Sequence, residues 1–351
     1  MKNNQKIFIV SMNGTSNAGG VEKVSYYLNE ILSEKYDVKF ITKTKLNFGK
    51  INNLIQPILI SLKLLFKHNR LIIANSWHCF LYPADISIHH GTSAGIMDKT
   101  GEKNLSLKLT AWMEKVSAKK AKSILSVSEN CKKELVSYYG IPEEKIYVIN
   151  NFVEDSVFYP LKDTQKKEEI NVCFSGTLCY KKGIDILKSL AQYIENHDLP
   201  RKIKFNIATN FDRNTEDFKN LKKITLQTGL ISSQMPDFYR KNDILFFPTR
   251  YEGFSMAALE AVSSGLCLIG SDFAVTPEFI NYPFCQQINF NTQIEEIIKG
   301  IIKLYDEFHN KKQEIHNQIK KDFGTEQYKQ KLFSFINKII ENNLLKFTIQ
   351  K

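Results

Sequence analysis

Two glutamates stand eight residues apart in the stretch RYEGFSMAALEAVSSG, residues 250–265. Glu252 precedes a Gly-Phe-Ser turn, and Glu260 lies in the run of small residues that follows, which is typical of a closely packed helix. A carboxylate accepts two hydroxyl hydrogen bonds at once, so this pair suits the vicinal hydroxyls of a sugar. The alternative interpretation is that both carboxylates only stabilise the dipole of that helix.

A pair of lysines follows another strand-like run, in FSGTLCYKKGIDIL, residues 174–187. Lys181 and Lys182 come just before a predicted helix that starts near Gly183. Lysine supplies a point charge and a helix N-terminus supplies N–H donors, so the pattern indicates a phosphate site. Two solvated surface lysines are the alternative.

His89 and His90 end the strand-like run DISIHH, residues 85–90. A histidine at a strand end can donate or accept a proton near neutral pH. Neighbouring strand residues face opposite sides, so we expect only one of the two to reach a ligand. His78 is a further candidate with less support.

Gly19 and Gly20 lie between the first strand-like run and a helical pattern that starts at Val21. Their backbone N–H groups could approach an anion closely, and an ordinary loop between strand and helix is the alternative. The spacing is not G-x-G-x-x-G, so no dinucleotide site is indicated. No D-x-D follows a predicted strand, and no residue cluster has metal-ligand spacing, so we expect no metal and no other cofactor.

These residues must be positioned by two blocks of alternating strands and helices, which predict an α/β fold with parallel sheets. Ligands bind at the carboxyl ends of such strands, where all the residues above lie. A polar, Pro-containing stretch separates the blocks. The first block has predicted strands at 6–11, 37–42, 70–75, 85–90, 123–128 and 145–150, and the second at 170–176, 202–208, 243–248 and 266–271.

The chain has 351 residues, more than one hydrophobic core usually supports. We therefore predict a domain at 1–150, a linker at 151–169, a second domain at 170–330, and a C-terminal helix at 331–351 that packs toward the first domain.

Composition indicates a globular protein, with 43% hydrophobic and 24% charged residues. No signal-peptide pattern and no membrane-spanning run are found, and the six cysteines form no C-x-x-C pair. We expect the thiols to be reduced and the protein to be cytoplasmic, with peripheral binding to the inner face of the cell membrane.

The net charge of +11 is uneven, because residues 1–150 have 21 Lys and Arg against 12 Asp and Glu. Within this basic half, residues 105–122 predict a helix on which Leu105, Leu109, Trp112 and Val116 form an apolar stripe beside lysines. The lysines are Lys108, Lys115, Lys119 and Lys122. This pattern is typical of a helix that docks on anionic lipid, with a core-facing helix as the alternative. The charge alone would also fit nucleic acid, but no nucleic-acid motif is seen, so we expect no such partner.

The chain resembles the family 4 glycosyltransferases of the GT-B fold over about residues 6–345. The most specific part runs from Glu252-Gly253-Phe254 to Leu259-Glu260-Ala261, which is similar to the E-x7-E signature of the family. Similar stretches are GGVEKVSYYLNEIL at 19–32, the residues from 127 to 160, and the lysine-containing turn at 174–187.

The resemblance implies two Rossmann-like domains facing each other across a cleft. The first would bind the acceptor and the second the nucleotide sugar. The activity implied is retaining transfer of a sugar from a UDP- or GDP-sugar to a hydroxyl, without a metal. The acceptor would be a glycan or glycolipid, with a lipid-linked one following from the membrane interpretation.

The resemblance also assigns residue roles. Glu260 would bind the nucleotide ribose, Glu252 the hydroxyls of the donor sugar, and Lys182 the pyrophosphate. His89 or His90 would contact the sugar beside the reacting carbon. The remaining residues assigned to donor binding are Gly19, Gly20, Thr177, Lys181, Arg250, Gly253, Phe254, Ser255 and Met256.

Three positions depart from the family pattern. Thr177 stands where the family usually has arginine, so one cation on the pyrophosphate is missing unless Lys181 or Arg250 replaces it. Phe152 and Ser255 each stand where glycine is usual. Thr177 leaves open a non-catalytic, glycosyltransferase-like partner subunit. A sugar-nucleotide epimerase is a second alternative, because its architecture is similar.

Overall fold

The computed structural model describes residues 5–13, 20–66, 70–161, 168–210 and 213–349. The chain divides into two compact units. The N-terminal unit consists of Met1–Asn151 and Tyr328–Lys351, and the C-terminal unit of Phe152–Gln327. Each unit is an α/β layer structure built on one parallel sheet of six strands.

The sheet of the N-terminal unit has the strand order β2-β1-β3-β4-β5-β6, with every described pairing parallel. Its strands are β1 (Lys6–Val10), β2 (Asp37–Ile41), β3 (Leu71–Asn75), β4 (Ile86–His89), β5 (Ser123–Ser126) and β6 (Ile146–Val148). Its helices are α1 (Gly20–Ser33), α2 (Asn52–Leu65), α3 (Ser93–Thr100), α4 (Leu105–Lys120) and α5 (Glu129–Tyr139). β3 is buried along its whole length at the centre of the sheet, so its end lies between the ends of β1 and β4.

The sheet of the C-terminal unit has the order β12-β11-β10-β7-β8-β9 and is also parallel. Its strands are β7 (Glu169–Ser175), β8 (Lys202–Thr209), β9 (Ile224–Thr228), β10 (Ile244–Phe247), β11 (Cys267–Gly270) and β12 (Cys285–Gln287). Its helices are α6 (Ile184–Asn196), α7 (Met235–Arg240), α8 (Met256–Ser263), α9 (Ile294–Phe308) and α10 (Lys312–Phe323). β7 and β10 are neighbours, which brings the segments that follow them to one edge of the sheet.

A long helix, α11 (Thr325–Ile349), begins in the C-terminal unit and then belongs to the N-terminal one. In the N-terminal unit Tyr36 donates a hydrogen bond of 2.7 Å to Asn337 Oδ1, and the Tyr147 and Phe335 rings lie 4.9 Å apart. Side chains from residues 328–339 therefore complete the core of that unit.

The predicted fold class is confirmed, and all ten predicted strands are present with ends within about two residues of the prediction. The sequence missed two strands, β9 and β12, which are the two edges of the second sheet. β9 is mostly half-buried and β12 is only three residues long with two glutamines. An edge strand needs little apolar sequence, so its pattern is weak.

The stretch predicted to link the domains is packed at its start. Phe152, Val153 and Phe158 are buried, and Val153 donates a backbone hydrogen bond of 2.9 Å to Phe323. Across the described parts of the chain, no helix is both long and apolar enough to cross a bilayer.

Candidate functional site

Lys182 and Glu252 meet at the carboxyl edge of the second sheet. Lys182 lies in the turn after β7 and Glu252 in the turn after β10, and Lys182 Nζ donates a hydrogen bond to Glu252 Oε1. The ammonium also lies 5.1 Å from the centre of the Phe247 ring at the end of β10. Both side chains are only part-buried, so the pair is accessible to a ligand.

Backbone hydrogen bonds hold these two turns together. Arg250 N donates to Lys181 O over 2.7 Å, and Thr249 Oγ1 donates to the same oxygen over 3.2 Å. Gly183 has φ of +77°, and a Cβ there would lie 2.1 Å from Pro248 O. Only glycine fits this close approach, so it fixes the distance between the two turns.

Arg250 is engaged within the same unit. Its two terminal nitrogens each donate to one oxygen of Asp185 over 2.7 Å, and its guanidinium lies 3.9 Å from the Tyr180 ring and 4.9 Å from the Phe290 ring. The hydrogen bonds from Arg250 lower the pKa of Asp185. A bidentate pair stacked between rings is a rigid clamp, so Arg250 fixes the two turns, and Asp185 already balances its charge.

Among the other residues assigned to this turn, Thr177 is exposed at the end of β7 and Lys181 is half-buried. Lys181 offers its backbone oxygen to the opposite turn, as described above. In the described part of the chain, no cationic side chain contacts Thr177 in place of the arginine that the family usually has at this position.

The helix that carries Glu260 starts as predicted. Ser255 is the N-cap of α8, and its Oγ accepts a hydrogen bond of 3.2 Å from Ala258 N. Met256 is half-buried in the first turn, next to the buried Gly253 turn. The Phe254 ring packs 5.7 Å from Phe279 and so belongs to the core.

Glu260 lies in the second turn of α8 and is 9% exposed. Its charge is close to Tyr239, whose pKa is raised by burial and by this carboxylate. The Tyr239 hydroxyl in turn lies 2.8 Å from Ser175 Oγ at the end of β7. The sequence did not indicate Tyr239, because a tyrosine in a short helix between two strands has no distinguishing pattern.

The two histidines after β4 differ in environment. His89 is fully buried, with Nε2 3.0 Å from Ser87 Oγ and Nδ1 3.4 Å from Ser76 Oγ. Burial lowers the pKa of His89 to about 3. Its ring is thus a neutral part of the core with a serine beside each nitrogen.

His90 is half-buried and reaches the adjacent strand end, where Nε2 lies 2.9 Å from Asn75 Oδ1. Asn75 in turn donates to Ser25 Oγ in α1 over 2.8 Å. A carbonyl oxygen can only accept, so His90 Nε2 carries the hydrogen and Nδ1 keeps its lone pair. Burial lowers the pKa of His90 to about 4, so the ring is neutral at physiological pH.

Asn75 was not indicated by the sequence, although an asparagine that ends the apolar run LIIAN is a signal that could have been used.

His78 is also buried and accepts a hydrogen bond of 3.2 Å from Met12 N through Nδ1. Gly20 is the first residue of α1, and Gly19 lies outside the described residues.

Two carboxylates fix the segment that follows His90. Glu114 accepts hydrogen bonds from Ser93 N at 2.8 Å and from Tyr139 OH at 2.5 Å, and Glu134 accepts from Thr92 N at 3.1 Å. Burial raises the pKa of Glu114 to about 7. The N-terminus of α3 is therefore capped by protein carboxylates rather than open to an anion.

The predicted apolar stripe of α4 does not face the core. The buried residues of α4 are Ala111, Met113, Glu114, Ser117 and Ala118. Leu105 and Trp112 are exposed, and Leu109 and Val116 are half-buried. Of the predicted basic stripe, Lys122 pairs with Asp85 at 2.7 Å.

Among the described residues, no group of His, Cys, Asp and Glu side chains could hold a metal ion.

Two protein-family models match the chain, one in each unit. Residues 18–157 match the model described as Glycosyltransferase Family 4, and residues 160–322 match Glycosyl transferases group 1. The matches meet within ten residues of the boundary between the compact units.

Known relatives and solved structures are similar to this chain at low identity. The O-antigen chain mannosyltransferase RfbU of Salmonella typhimurium is 26% identical over 167 residues, 47% of this chain and 46% of the relative. Sucrose-phosphate synthase from Thermosynechococcus elongatus has a TM-score of 0.77 at 14% identity, over 97% of this chain and 100% of that one. Anabaena HepE, solved with UDP and glucose, has a TM-score of 0.71 at 13% identity, over 95% and 100%.

The chain spans about half the length of the curated relatives it matches, and the likeness to the solved structures shows the fold alone. The family models are more specific, because together they cover both units and the stretch that carries Lys182, Glu252 and Glu260. The chain therefore belongs to the glycosyltransferases, with a family 4 first half and a group 1 second half.

Proposed function

We propose that the protein transfers a sugar from a nucleoside diphosphate sugar to a hydroxyl of a lipid-linked glycan, with retention of anomeric configuration and without a metal. The product would belong to cell-surface polysaccharide, lipopolysaccharide or glycolipid synthesis. The observation that carries the proposal is the ion pair of Lys182 and Glu252 at the ends of adjacent strands, with Glu260 on the helix that follows.

Charge placement supports the role of Lys182. A departing diphosphate gains negative charge in the transition state, and a fixed ammonium stabilises that charge more than it stabilises the ground state. The close packing of Gly183 against Pro248 holds the turn that carries Lys182, so little reorganisation is needed. Arg250 acts in this proposal as the residue that positions the turn.

The two glutamates have binding roles in the proposal. Glu252 accepts hydroxyl hydrogen bonds from the donor sugar, and the more buried Glu260 accepts from the ribose. Neither is assigned as a general acid or base, and no protein nucleophile is assigned. The leaving phosphate oxygen takes the proton from the acceptor hydroxyl on the same face of the sugar.

His90, rather than His89, is the histidine proposed to contact the donor sugar. Its Nδ1 has a lone pair, and no described residue donates to it. A neutral ring nitrogen accepts a hydrogen bond from a sugar hydroxyl at physiological pH. Both ring nitrogens of His89 already have serine neighbours inside the core.

The similar proteins support the class of donor and acceptor. HepE is described with UDP and glucose, and RfbU is named an O-antigen chain mannosyltransferase. The exposed apolar residues of α4 and the net positive charge of residues 1–150 support an acceptor at an anionic membrane.

Saturation-transfer NMR with a panel of UDP- and GDP-sugars tests the proposal. We expect saturation transfer to only one nucleotide sugar of the panel, which identifies both the base and the sugar. That donor should be consumed only when a lipid-linked acceptor is added. Consumption of the donor without an acceptor would instead indicate the epimerase. Saturation of no nucleotide sugar would overturn the proposal and favour a non-catalytic subunit.

A further inference from the structure

A cavity of about 540 Å³ opens in the C-terminal unit, at the edge of the sheet opposite to the candidate site. It lies between the end of α6, the first residues of β7 and β8, and the turn before β9. Glu169 and Lys202, which begin β7 and β8, both line it. Lys182 and Glu252 instead follow the carboxyl ends of β7 and β10. Because β7 has seven residues, about 20 Å of strand separates the cavity from the candidate site.

Positive charge dominates the wall of this cavity, which we name the α6–β8 cavity. Five basic residues line it against two carboxylates, those of Glu169 and Asp198. The basic residues are Arg201, Lys202, Lys204, Lys222 and Lys223. The buried side chains of Ile194 and Ile203 form an apolar part of the same wall. The cavity therefore combines an excess of cations with an apolar surface.

A second cavity of the same unit shows that this excess is not a general property of its surface. That cavity has about 620 Å³ and lies between β12 and α9. Lys299 and Lys303 line it together with Glu296 and Glu307, so its charges balance. The α6–β8 cavity differs from it in charge rather than in size.

Two of the five cations are used by the fold. Lys223 Nζ donates to Ile194 O at 2.8 Å and to His197 O at 3.2 Å, where the dipole at the C-terminus of α6 is negative. Arg201 pairs with Asp306 of α9 at 3.4 Å. These contacts hold the walls of the cavity in place, so Lys223 and Arg201 position other groups rather than wait for a ligand.

Lys202 and Lys204 are placed differently. They are two residues apart in β8, so their side chains leave the same face of the strand from Cα atoms about 7 Å apart. Glu169 lies opposite Lys202 in the strand register, yet among the described residues neither lysine forms an ion pair. Two neighbouring ammonium groups repel each other, and an anion bound between them would relieve that repulsion.

The chemistry of the wall indicates the class of anion. A phosphate group has close to two negative charges and three strong acceptor oxygens, which suits two lysines better than a single carboxylate does. Ile194 and Ile203 can contact only a carbon-containing part of a ligand. A volume of about 540 Å³ is typical of pockets for small molecules.

We propose that the α6–β8 cavity binds a small phosphorylated organic molecule. Lys202 and Lys204 contact its phosphate, and Ile194 and Ile203 contact its carbon skeleton. The proposal goes beyond the transfer reaction and does not rest on it, because none of these residues belongs to the candidate site.

Methyl NMR of protein labelled at isoleucine tests the proposal at the level of single sites. The methyl shifts of Ile194 and Ile203 report on the cavity, and that of Ile184, next to Gly183, reports on the turn of Lys182. Four probes are titrated at low salt, namely glucose, glucuronate, glucose 1-phosphate and inorganic phosphate. They separate the sugar, a carboxylate, a phosphate on a carbon skeleton and free phosphate.

The test variant is Lys202→Gln with Lys204→Gln, which keeps the length of the side chains and breaks no ion pair of the described residues. Its matched control is Lys299→Gln with Lys303→Gln, two exposed lysines of the second cavity. We expect glucose 1-phosphate to shift the Ile194 and Ile203 methyls and to bind at least about tenfold more weakly to the test variant, because charge-assisted hydrogen bonds are lost. The control variant should bind as the parent does.

Several results would overturn the proposal. One is glucose 1-phosphate that shifts Ile184 alone or no isoleucine, and another is equal affinity in the parent and the test variant. Glucose or glucuronate that binds as tightly as glucose 1-phosphate would show that phosphate is not selected. Inorganic phosphate that binds as tightly would show that the carbon skeleton is not recognised. The shifts of Ile194 and Ile203 do not depend on sugar transfer, so failure of the proposed function would leave this test unaffected.

Discussion

Lys182 and Glu252, which lie 70 residues apart in the sequence, form an ion pair between Nζ and Oε1. The proposed binder of the diphosphate thus contacts the proposed binder of the donor sugar. An incoming donor has to share or replace this contact, because its phosphates compete with the carboxylate for the same ammonium. Changes at Glu252 should therefore affect phosphate binding and sugar transfer in different directions.

Glu252→Gln removes the negative charge while it keeps the size of the side chain. We expect UDP or GDP to bind at least as tightly as to the parent, because Lys182 no longer has a fixed counter-charge. Turnover should fall about tenfold or more, since a charge-assisted hydrogen bond contributes roughly 1.5–3 kcal/mol. Calorimetry and transfer rates measure the two effects. Weaker nucleotide binding in this variant would mean that Glu252 is part of the nucleotide site itself.

Glu260→Ala should weaken the binding of the true nucleotide by roughly 1.5–3 kcal/mol, because it removes the charge-assisted hydrogen bond to the ribose hydroxyl. Calorimetry with UDP and GDP measures this change, and the unfolding temperature confirms that the variant is folded. A folded variant with the affinity of the parent would remove Glu260 from the proposed site.

His89→Ala and His90→Ala should differ in kind. His89 is fully buried, so its removal should lower the free energy of unfolding by about 2 kcal/mol or more through the cavity and the unpaired serines. His90→Ala should leave stability nearly unchanged and lower turnover about tenfold. Denaturant titration and transfer rates distinguish the two effects. Equal, mild losses of turnover in both variants would contradict the role of His90 and make His78 the next candidate.

Glu114 should make stability depend on pH. Burial raises its folded-state pKa to about 7 from an ordinary 4.5, so in this interval the folded state holds a proton that the unfolded state has lost. The free energy of unfolding should therefore fall as pH rises from about 4.5 to about 7, by on the order of 3 kcal/mol, and then level off.

Glu114→Gln tests this expectation, because the amide can keep the hydrogen bonds to Ser93 and Tyr139 without a charge. The variant should match the parent near pH 5 and be more stable than it near pH 8. Urea titrations at both pH values give the comparison, in which Glu134 and all other groups are common to both proteins. Parallel pH profiles would mean that Glu114 does not titrate in this range.

Local patterns in the sequence predicted the strands and the helix of Glu260, because strand and helix periodicity depends on nearby residues alone. The contact of Lys182 with Glu252 needs the sheet order, in which β7 lies beside β10 although β8 and β9 come between them in the chain. No local pattern contains that order. The same applies to Arg250, a candidate to replace the missing cation on the pyrophosphate, whose partner Asp185 lies in the first turn of α6.

The choice between His89 and His90 also needed the structure. Strand periodicity shows that the two rings point to opposite sides, but it does not show which side the serines of β4 and the neighbouring turn occupy. Helix α2 buries Ile60 and Leu64 as expected, but Gln56 and Ser61 are buried beside them while Leu65 and Phe66 are exposed. Polar residues can take the core side of a helix when hydrogen bonds are available there.

The course of α11 has a consequence for the order in which the protein folds during synthesis. Residues 1–151 are synthesised before the rest of this sequence. The contacts of Tyr36 with Asn337 and of Tyr147 with Phe335 can form only after residue 337 has emerged from the ribosome. Of these two units, the one that is translated earlier is therefore completed later. Until residues 328–349 emerge, the N-terminal unit exposes an apolar surface to which chaperones can bind. A nascent chain that stalls before residue 328 would keep this surface exposed.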